Sequence, residues 1–135
     1  MKSTNTLFGI LLAAMTLCSE AYNEKDFPEL KGPYMGQKPP GLTAEPFAPG
    51  IISKEGWELE GVFAPGMNEF YFTTQGGKYT YNTVVGFRQI NNVWVKYLEY
   101  PRRGETVFSP DGNRWHMAEG YRDRKGNSWT ERKSL

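Results

Sequence analysis

Histidine and cysteine are almost absent from this chain, which has one of each in 135 residues, His116 and Cys18. A structural zinc site takes four ligands, mainly of these two types, so the sequence does not supply one. A Ser-His-Asp triad would need His116, but the Gly-x-Ser-x-Gly turn that carries many nucleophiles is missing. A disulfide framework is excluded because it needs two cysteines. We therefore expect no catalytic residue, no metal and no cofactor, and we interpret His116 as an ordinary strand residue.

The chain also lacks an excess of charge and a long apolar run. Its formal net charge of +1 gives no reason to expect a nucleic-acid partner. The mean hydropathy of -0.61 excludes an integral membrane protein. The longest apolar run, Leu7 to Leu17, is too short to span a bilayer. We therefore expect no membrane span.

Residues 1–21 have the pattern of a signal peptide. Lys2 precedes the apolar run, and Ser19-Glu20-Ala21 places small residues where a signal peptidase cleaves. A buried core helix is the alternative use of such a run. We expect an exported protein, periplasmic or extracellular, that begins at Tyr22 after cleavage. Lipidation of Cys18 is a further alternative, although Leu17 is larger than the residue that usually precedes a lipidated cysteine.

Aromatic and turn-forming residues are abundant instead. Aromatics make up 15% of the chain, and there are 15 glycines and 9 prolines, which favours an all-β fold with many turns. Residues 22–56 form a Pro/Gly-rich leader, and proline lacks the backbone donor that a central strand needs. We expect this leader to pack in extended form over a sheet, with Ile51-Ile52-Ser53 as a short edge strand. Its apolar anchors are Phe27, Leu30, Tyr34, Phe47, Ile51 and Ile52.

From Trp57 onward the pattern predicts two units of antiparallel strands, residues 57–104 and 105–135, and no helix. Phe70 and Phe72 alternate with Tyr71, which is the period of a strand with two different faces. The strands predicted in the first unit are Glu58 to Phe63, Glu69 to Thr74, Thr83 to Ile90 and Val93 to Leu98. Those predicted in the second are Thr106 to Phe108, Arg114 to Ala118 and a segment from Asn127 to Arg132, with residues 122–125 as a charged loop.

A turn motif occurs twice in these units. Phe63-Ala64-Pro65-Gly66-Met67-Asn68 aligns without a gap with Phe108-Ser109-Pro110-Asp111-Gly112-Asn113, and an aromatic-rich strand follows each copy. In the second copy Pro110 presets φ, Asp111 accepts backbone hydrogen bonds and Gly112 takes the left-handed conformation. Trp94 and Trp129 form a second matched pair. A strand–turn–strand repeat of about 45 residues has the period of a β-propeller blade.

The second copy of the motif, with the strand after it, resembles the WD-like β-propeller repeat of TolB-type periplasmic proteins. The tail from Gly126 to Leu135 is similar to the segment that closes one such blade and leads into the next. The resemblance covers roughly residues 33–135. It departs from the family pattern at Gly66, where the aspartate of the turn is missing, and at Trp115 and His116, where leucine and tyrosine are usual.

The resemblance implies a non-enzymatic, exported scaffold of four-stranded antiparallel blades that binds another protein or a small ligand. A remnant of a propeller-based hydrolase is the alternative function. Such propellers usually need six or seven blades, and this chain has room for about two, so we expect an incomplete β-propeller with two open apolar faces through which copies self-associate. Three interpretations stay open: a fragment, several short chains that assemble into one ring, or a small self-sufficient β domain. The aromatics expected to pack blades together are Phe70, Phe72, Trp94, Trp115 and Trp129.

Overall fold

The computed structural model describes residues 30–54 and 56–135. The predicted signal peptide, with Cys18 and the cleavage site before Tyr22, and the leader residue Phe27 lie outside these ranges. The described residues form two antiparallel sheets preceded by one 3-10 turn, Pro33–Gly36, which confirms the all-β class. Among them, no helix has the length and apolar character needed to cross a lipid bilayer.

The first sheet is a meander in which each strand pairs with the next along the chain. Its strands are β1 (Trp57–Phe63), β2 (Glu69–Gly76), β3 (Tyr79–Ile90) and β4 (Val93–Pro101). β3 begins at Tyr79 rather than at the predicted Thr83. The reason is that Gly76, at φ 109°, lets the chain turn back at once and pair with Tyr79.

β1 is the irregular edge of this sheet. Its register with β2 shifts between Leu59 and Val62, and Glu60 has φ 58°, which together mark a β-bulge. Gly61 follows directly, and a Cβ there would lie 3.1 Å from the ring of Phe70. The bulge therefore brings the backbone of the edge strand close to the aromatic interior.

The second sheet is smaller. Its strands are β5 (Val107–Phe108), β6 (Arg114–Met117), β7 (Gly120–Lys125), β8 (Ser128–Trp129) and β9 (Lys133–Ser134), of which β5 to β8 form a meander and β9 pairs with β7. The charged loop predicted at residues 122–125 is wrong, because these residues belong to β7. Arg122 lies over the rings of Tyr100 and Trp115, and Arg124 reaches Glu69, so alternate charged side chains have partners across the sheet interface.

Two hydrophobic cores lie on opposite faces of the first sheet. One lies between the leader and this sheet, with the buried side chains of Leu30, Met35, Ala48, Ile52, Phe70, Phe72, Val85, Phe87 and Trp94. The other lies between the two sheets, with the buried side chains of Ala64, Tyr71, Val84, Trp115, Met117 and Trp129. The predicted alternation along β2 is thus confirmed, since Tyr71 enters a different core from its two neighbours.

The leader packs over the first sheet and touches its edge through β4. The indole Nε1 of Trp94 donates a hydrogen bond of 2.7 Å to the carbonyl of Gly32. The edge strand predicted at Ile51 and Ile52 is wrong: both amides donate to the carbonyl of Ala48 and close a turn. Met35 is fully buried and is an anchor that the sequence does not single out.

The expectation of two open apolar faces is wrong for the described residues. The leader covers one face of the first sheet. The outer face of the second sheet is mainly polar, because Arg114 and Lys133 both lie over the ring of Tyr121 and both form ion pairs with Asp123. The exposed Val107 lies on the same face. His116 stands exposed on the same face, directly opposite Tyr121.

Candidate functional site

The two copies of the turn motif share the same backbone hydrogen bonds. In the first copy the amide of Ala64 donates to the carbonyl of Glu69, and that of Met67 to the carbonyl of Ala64, both at 3.0 Å. In the second copy the matching amides of Ser109 and Gly112 make the same two bonds at 2.9 and 2.8 Å. The left-handed position is taken by Met67 at φ 59° and by Gly112 at φ 70°. The turn motif that occurs twice in the sequence therefore also repeats in backbone geometry.

Asp111 closes the second turn with its carboxylate. It accepts hydrogen bonds from the hydroxyl of Ser109 at 2.5 Å, the backbone amide of Asn113 at 3.0 Å and the side-chain amide of Asn113 at 3.1 Å. These bonds, that of Ser109 first among them, lower the pKa of Asp111 to about 2. Pro65 of the first turn lies beside the second, since a Cβ at Gly112 would be 3.7 Å from it. The carboxylate thus has a structural use inside the turn next to the exposed Pro110.

The aromatic side chains predicted for packing divide between the two cores. Phe70, Phe72 and Trp94 face the leader rather than another sheet, whereas Trp115 and Trp129 lie between the two sheets. The phenylalanines of the turn motif divide in the same way. Phe63 lies 4.8 Å from Phe70 in the first core, and Phe108 lies 6.2 Å from Trp115 in the second, measured between ring centroids. The leader therefore packs against the first sheet in the same way as the first sheet packs against the second.

An ionic cluster joins the two sheets, and it is the first of two candidate sites. Its centre is Glu69 on β2, which is 8% exposed. Both terminal nitrogens of Arg124 on β7 donate to the carboxylate at 2.9 Å, the Nε of Arg88 on β3 donates at 2.8 Å, and the hydroxyl of Tyr71 donates at 2.7 Å. The Nη2 of Arg88 is also 2.6 Å from this carboxylate, as an ion-pair contact without hydrogen-bond geometry.

Aromatic groups complete the ionic cluster. The hydroxyls of Tyr71 and Tyr97 form a short hydrogen bond, and the indole Nε1 of Trp129 donates to Tyr71 at 3.2 Å. The guanidinium groups of Arg88 and Arg124 lie 4.0 and 4.1 Å from the ring centroids of Tyr97 and Trp129. Burial, followed by the adjacent hydroxyl of Tyr97, raises the pKa of Tyr71 far above its usual value. Tyr71 therefore remains a hydrogen-bond donor to the carboxylate.

The carboxyl group of Glu69 stays ionised. Burial alone would raise its pKa, but the hydrogen bonds from Arg124, Tyr71 and Arg88 outweigh this effect and leave the pKa below its usual value. A carboxylate held by two guanidinium groups is a weak proton acceptor. The arrangement suits a structural link between the sheets.

The second candidate site is an apolar cleft between the leader and the bulged strand β1. Its volume is about 280 Å³, and it is lined by Phe47, Ile52, Glu58, Leu59, Gly61, Phe63, Phe70 and Phe72. This volume is close to the lower end of the range for small-molecule pockets, about 300–1,000 Å³. Sequence reasoning missed the cleft because its wall combines leader residues with two strands, and no local pattern marks such a combination.

His116 belongs to β6. It is exposed on the outer face of the second sheet and points away from Trp115 and Met117, as predicted. Within residues 30–54 and 56–135, no three side chains of the His, Cys, Asp or Glu type are placed to share a metal ion.

No protein-family model, curated protein or solved structure matches this chain in comparisons with known proteins. The resemblance to TolB-type repeats rests on the residues of the turn motif and the strands after it.

Proposed function

We propose that this chain forms successive layers of a propeller-like stack of β-sheets in an exported protein that binds another protein or a small ligand and is not an enzyme. The observation that supports this proposal is that each sheet packs its corresponding face against the layer that precedes it in the chain. Phe63 and Phe70 face the leader, and their counterparts Phe108 and Trp115 face the first sheet. Repeated units that each contact only their neighbours are the arrangement of propeller blades and solenoids.

The buried Glu69 and the half-buried Glu60 are both paired with arginines, which favours a structural role over a catalytic one. Glu69 is held between two arginines, and Glu60 accepts hydrogen bonds from the Nε of Arg102 at 3.0 Å and from Thr73 at 3.1 Å. The hydrogen bond from Arg102 is the main reason why the pKa of Glu60 lies below its usual value. A general acid or base works best with a pKa near the operating pH. Both carboxylates therefore serve as ties between strands.

A self-contained β domain is the second candidate, and the polar outer face of the second sheet favours it. On this face, the side chains of Arg114 and Lys133 form ion pairs with Asp123 and cation–π contacts with the ring of Tyr121. A face of this kind does not need a further sheet to remove apolar side chains from water. In this case the chain binds its partner as a monomer.

Expression of the full chain in a bacterial host, with a tag at its C-terminus, tests the export part of the proposal. We expect the protein in the periplasmic fraction with Tyr22 as its first residue, because residues 1–21 have the signal-peptide pattern. Retention in the cytoplasm with Met1 in place would contradict export.

Light scattering during size-exclusion chromatography of the exported protein distinguishes the two candidates. A stack completed by several chains predicts an oligomer that dissociates in the variant His116→Arg, which adds charge to the outer face. The matched control is Glu45→Arg, because Glu45 is exposed in the leader. A cooperatively folded monomer would reject the stack and support the self-contained domain.

A further inference from the structure

The cleft between the leader and β1 has a floor of aromatic rings that hold one another in place. The rings of Phe47, Phe63 and Phe70 lie 4.8 to 6.1 Å apart between centroids, and Phe72 stacks on Phe70 at 6.1 Å. Rings with several close neighbours keep their rotamers, so the floor is preformed. An apolar group that enters the cleft loses contact with water without requiring these rings to rearrange.

Glu58 is the one charged side chain among the residues that line the cleft. It is half-buried, and its carboxylate forms no hydrogen bond or ion pair with any described residue. Glu60, Glu69 and Glu99 differ in this respect, since each accepts hydrogen bonds from at least one cationic side chain. The carboxylate lies close to Gly56, where a Cβ would be only 3.0 Å from its Oε1. Glu58 is therefore a carboxylate that is free to meet a charged group from outside.

We propose that the cleft binds a small organic cation, in which an aromatic or aliphatic group carries an ammonium. The apolar group lies on the phenylalanine rings, and the ammonium donates to the carboxylate of Glu58. The faces of the rings attract the same positive charge, so both parts of the lining select a cation. The volume of about 280 Å³ limits the ligand to the small end of the usual range. This inference rests on the proposed binding function, for which it names the class of ligand.

Three compounds of similar shape and different charge test the inference on the full exported chain. They are 2-phenylethylammonium, 2-phenylethanol and phenylacetate, titrated by isothermal calorimetry at neutral pH. We expect the ammonium compound to bind about tenfold more tightly than the alcohol, because charge-assisted hydrogen bonds are about twice as strong as neutral ones. Phenylacetate should bind most weakly. Equal affinities for the three compounds, or no binding of the ammonium compound to a cooperatively folded protein, would overturn the inference.

Two substitutions at Glu58 test whether the compounds bind in the cleft. Glu58→Gln should lower the affinity for the ammonium compound about tenfold and leave the affinity for 2-phenylethanol unchanged, because only the charge is removed. Glu58→Lys should reverse the order, so that phenylacetate binds best. The matched control is Glu131→Gln, an exposed carboxylate on the second sheet's side of the molecule, which should change none of the affinities.

The outcome of these titrations is separable from that of the proposed function. If the ammonium compound does not bind, or if Glu58→Gln leaves its affinity unchanged, the ligand assignment is wrong even when export and the oligomeric state are as proposed. If binding follows the charge of Glu58 in a protein that is a monomer, the cleft is a cation site on a self-contained domain and only the stack is rejected.

Discussion

Replacement of Glu69 by glutamine tests whether the ionic cluster holds the two sheets together. Glutamine preserves the size of the side chain and removes its charge. The guanidinium groups of Arg88 and Arg124 then share the interface without a counterion. Their side chains are 14% and 22% exposed, so water screens this charge only in part.

The expected loss follows from the burial of the cluster. Removal of one partner from a buried ion pair destabilises a protein by about 3–5 kcal/mol. Because both arginines keep some contact with water, we expect the lower value, about 3 kcal/mol. In a domain of this size that loss lowers the Tm by roughly 10 °C. Glu69→Gln should therefore still fold, but with a large part of its stability removed.

Urea and thermal unfolding followed by circular dichroism measure this loss. The matched control is Glu99→Gln, because Glu99 also accepts hydrogen bonds from three side chains, those of Lys78, Tyr79 and Lys96. Glu99 is 38% exposed, and exposed ion pairs contribute about 1 kcal/mol or less. If the two variants lose the same stability, burial of the cluster does not govern its contribution and the reasoning is refuted.

The two turns should respond in opposite senses when their left-handed residues are exchanged. Gly112→Ala is expected to lower the free energy of unfolding by about 1 kcal/mol, and Met67→Gly to raise it by about 0.5 kcal/mol, because only glycine adopts positive φ without strain; urea unfolding checks both signs. Acid should lower the free energy of unfolding, because the pKa values of Glu60 and Glu69 lie below the ordinary 4.5. Their stabilising effect is complete above pH 4.5 and is lost as the pH falls through the lowered values, so equal urea midpoints at pH 7 and pH 3 would count against it. Trp129→Phe removes the indole bond to Tyr71 and should reduce stability by about 1–2 kcal/mol, whereas Trp57→Phe, at a residue 58% exposed, should change it by about 0.5 kcal/mol or less.

Features set by neighbouring residues were predictable from the sequence. The second turn has the geometry that proline, aspartate and glycine impose in that order, and Gly112 takes the expected left-handed φ. The alternation of Phe70, Tyr71 and Phe72 predicted a strand that places the two phenylalanines on one face and the tyrosine on the other, because side chains alternate along any strand. Neither feature depends on how the rest of the chain folds.

Features set by distant partners were not predictable. Residues 122–125 are all charged and were expected to be solvated, yet they belong to β7. Arg124 there binds the carboxylate of Glu69, which is 55 residues away and is not revealed by any local pattern. The apolar pair Ile51-Ile52 was expected to add an edge strand, but the carbonyl of Ala48 closes it into a turn. The cleft beside β1 depends on the same long-range assembly, because Phe47 and Phe70 meet only when the leader lies on the sheet.

The hydrogen bonds that hold the leader on the first sheet span a large part of the chain. The indole of Trp94 and the side-chain amide of Gln89 both donate to the carbonyl of Gly32, across 62 and 57 residues. The strands of the first sheet, in contrast, are joined by short turns. Contacts between near neighbours form before those that close long loops. We therefore expect the meander to form before the leader docks onto its aromatic face, and the leader to detach before the meander opens.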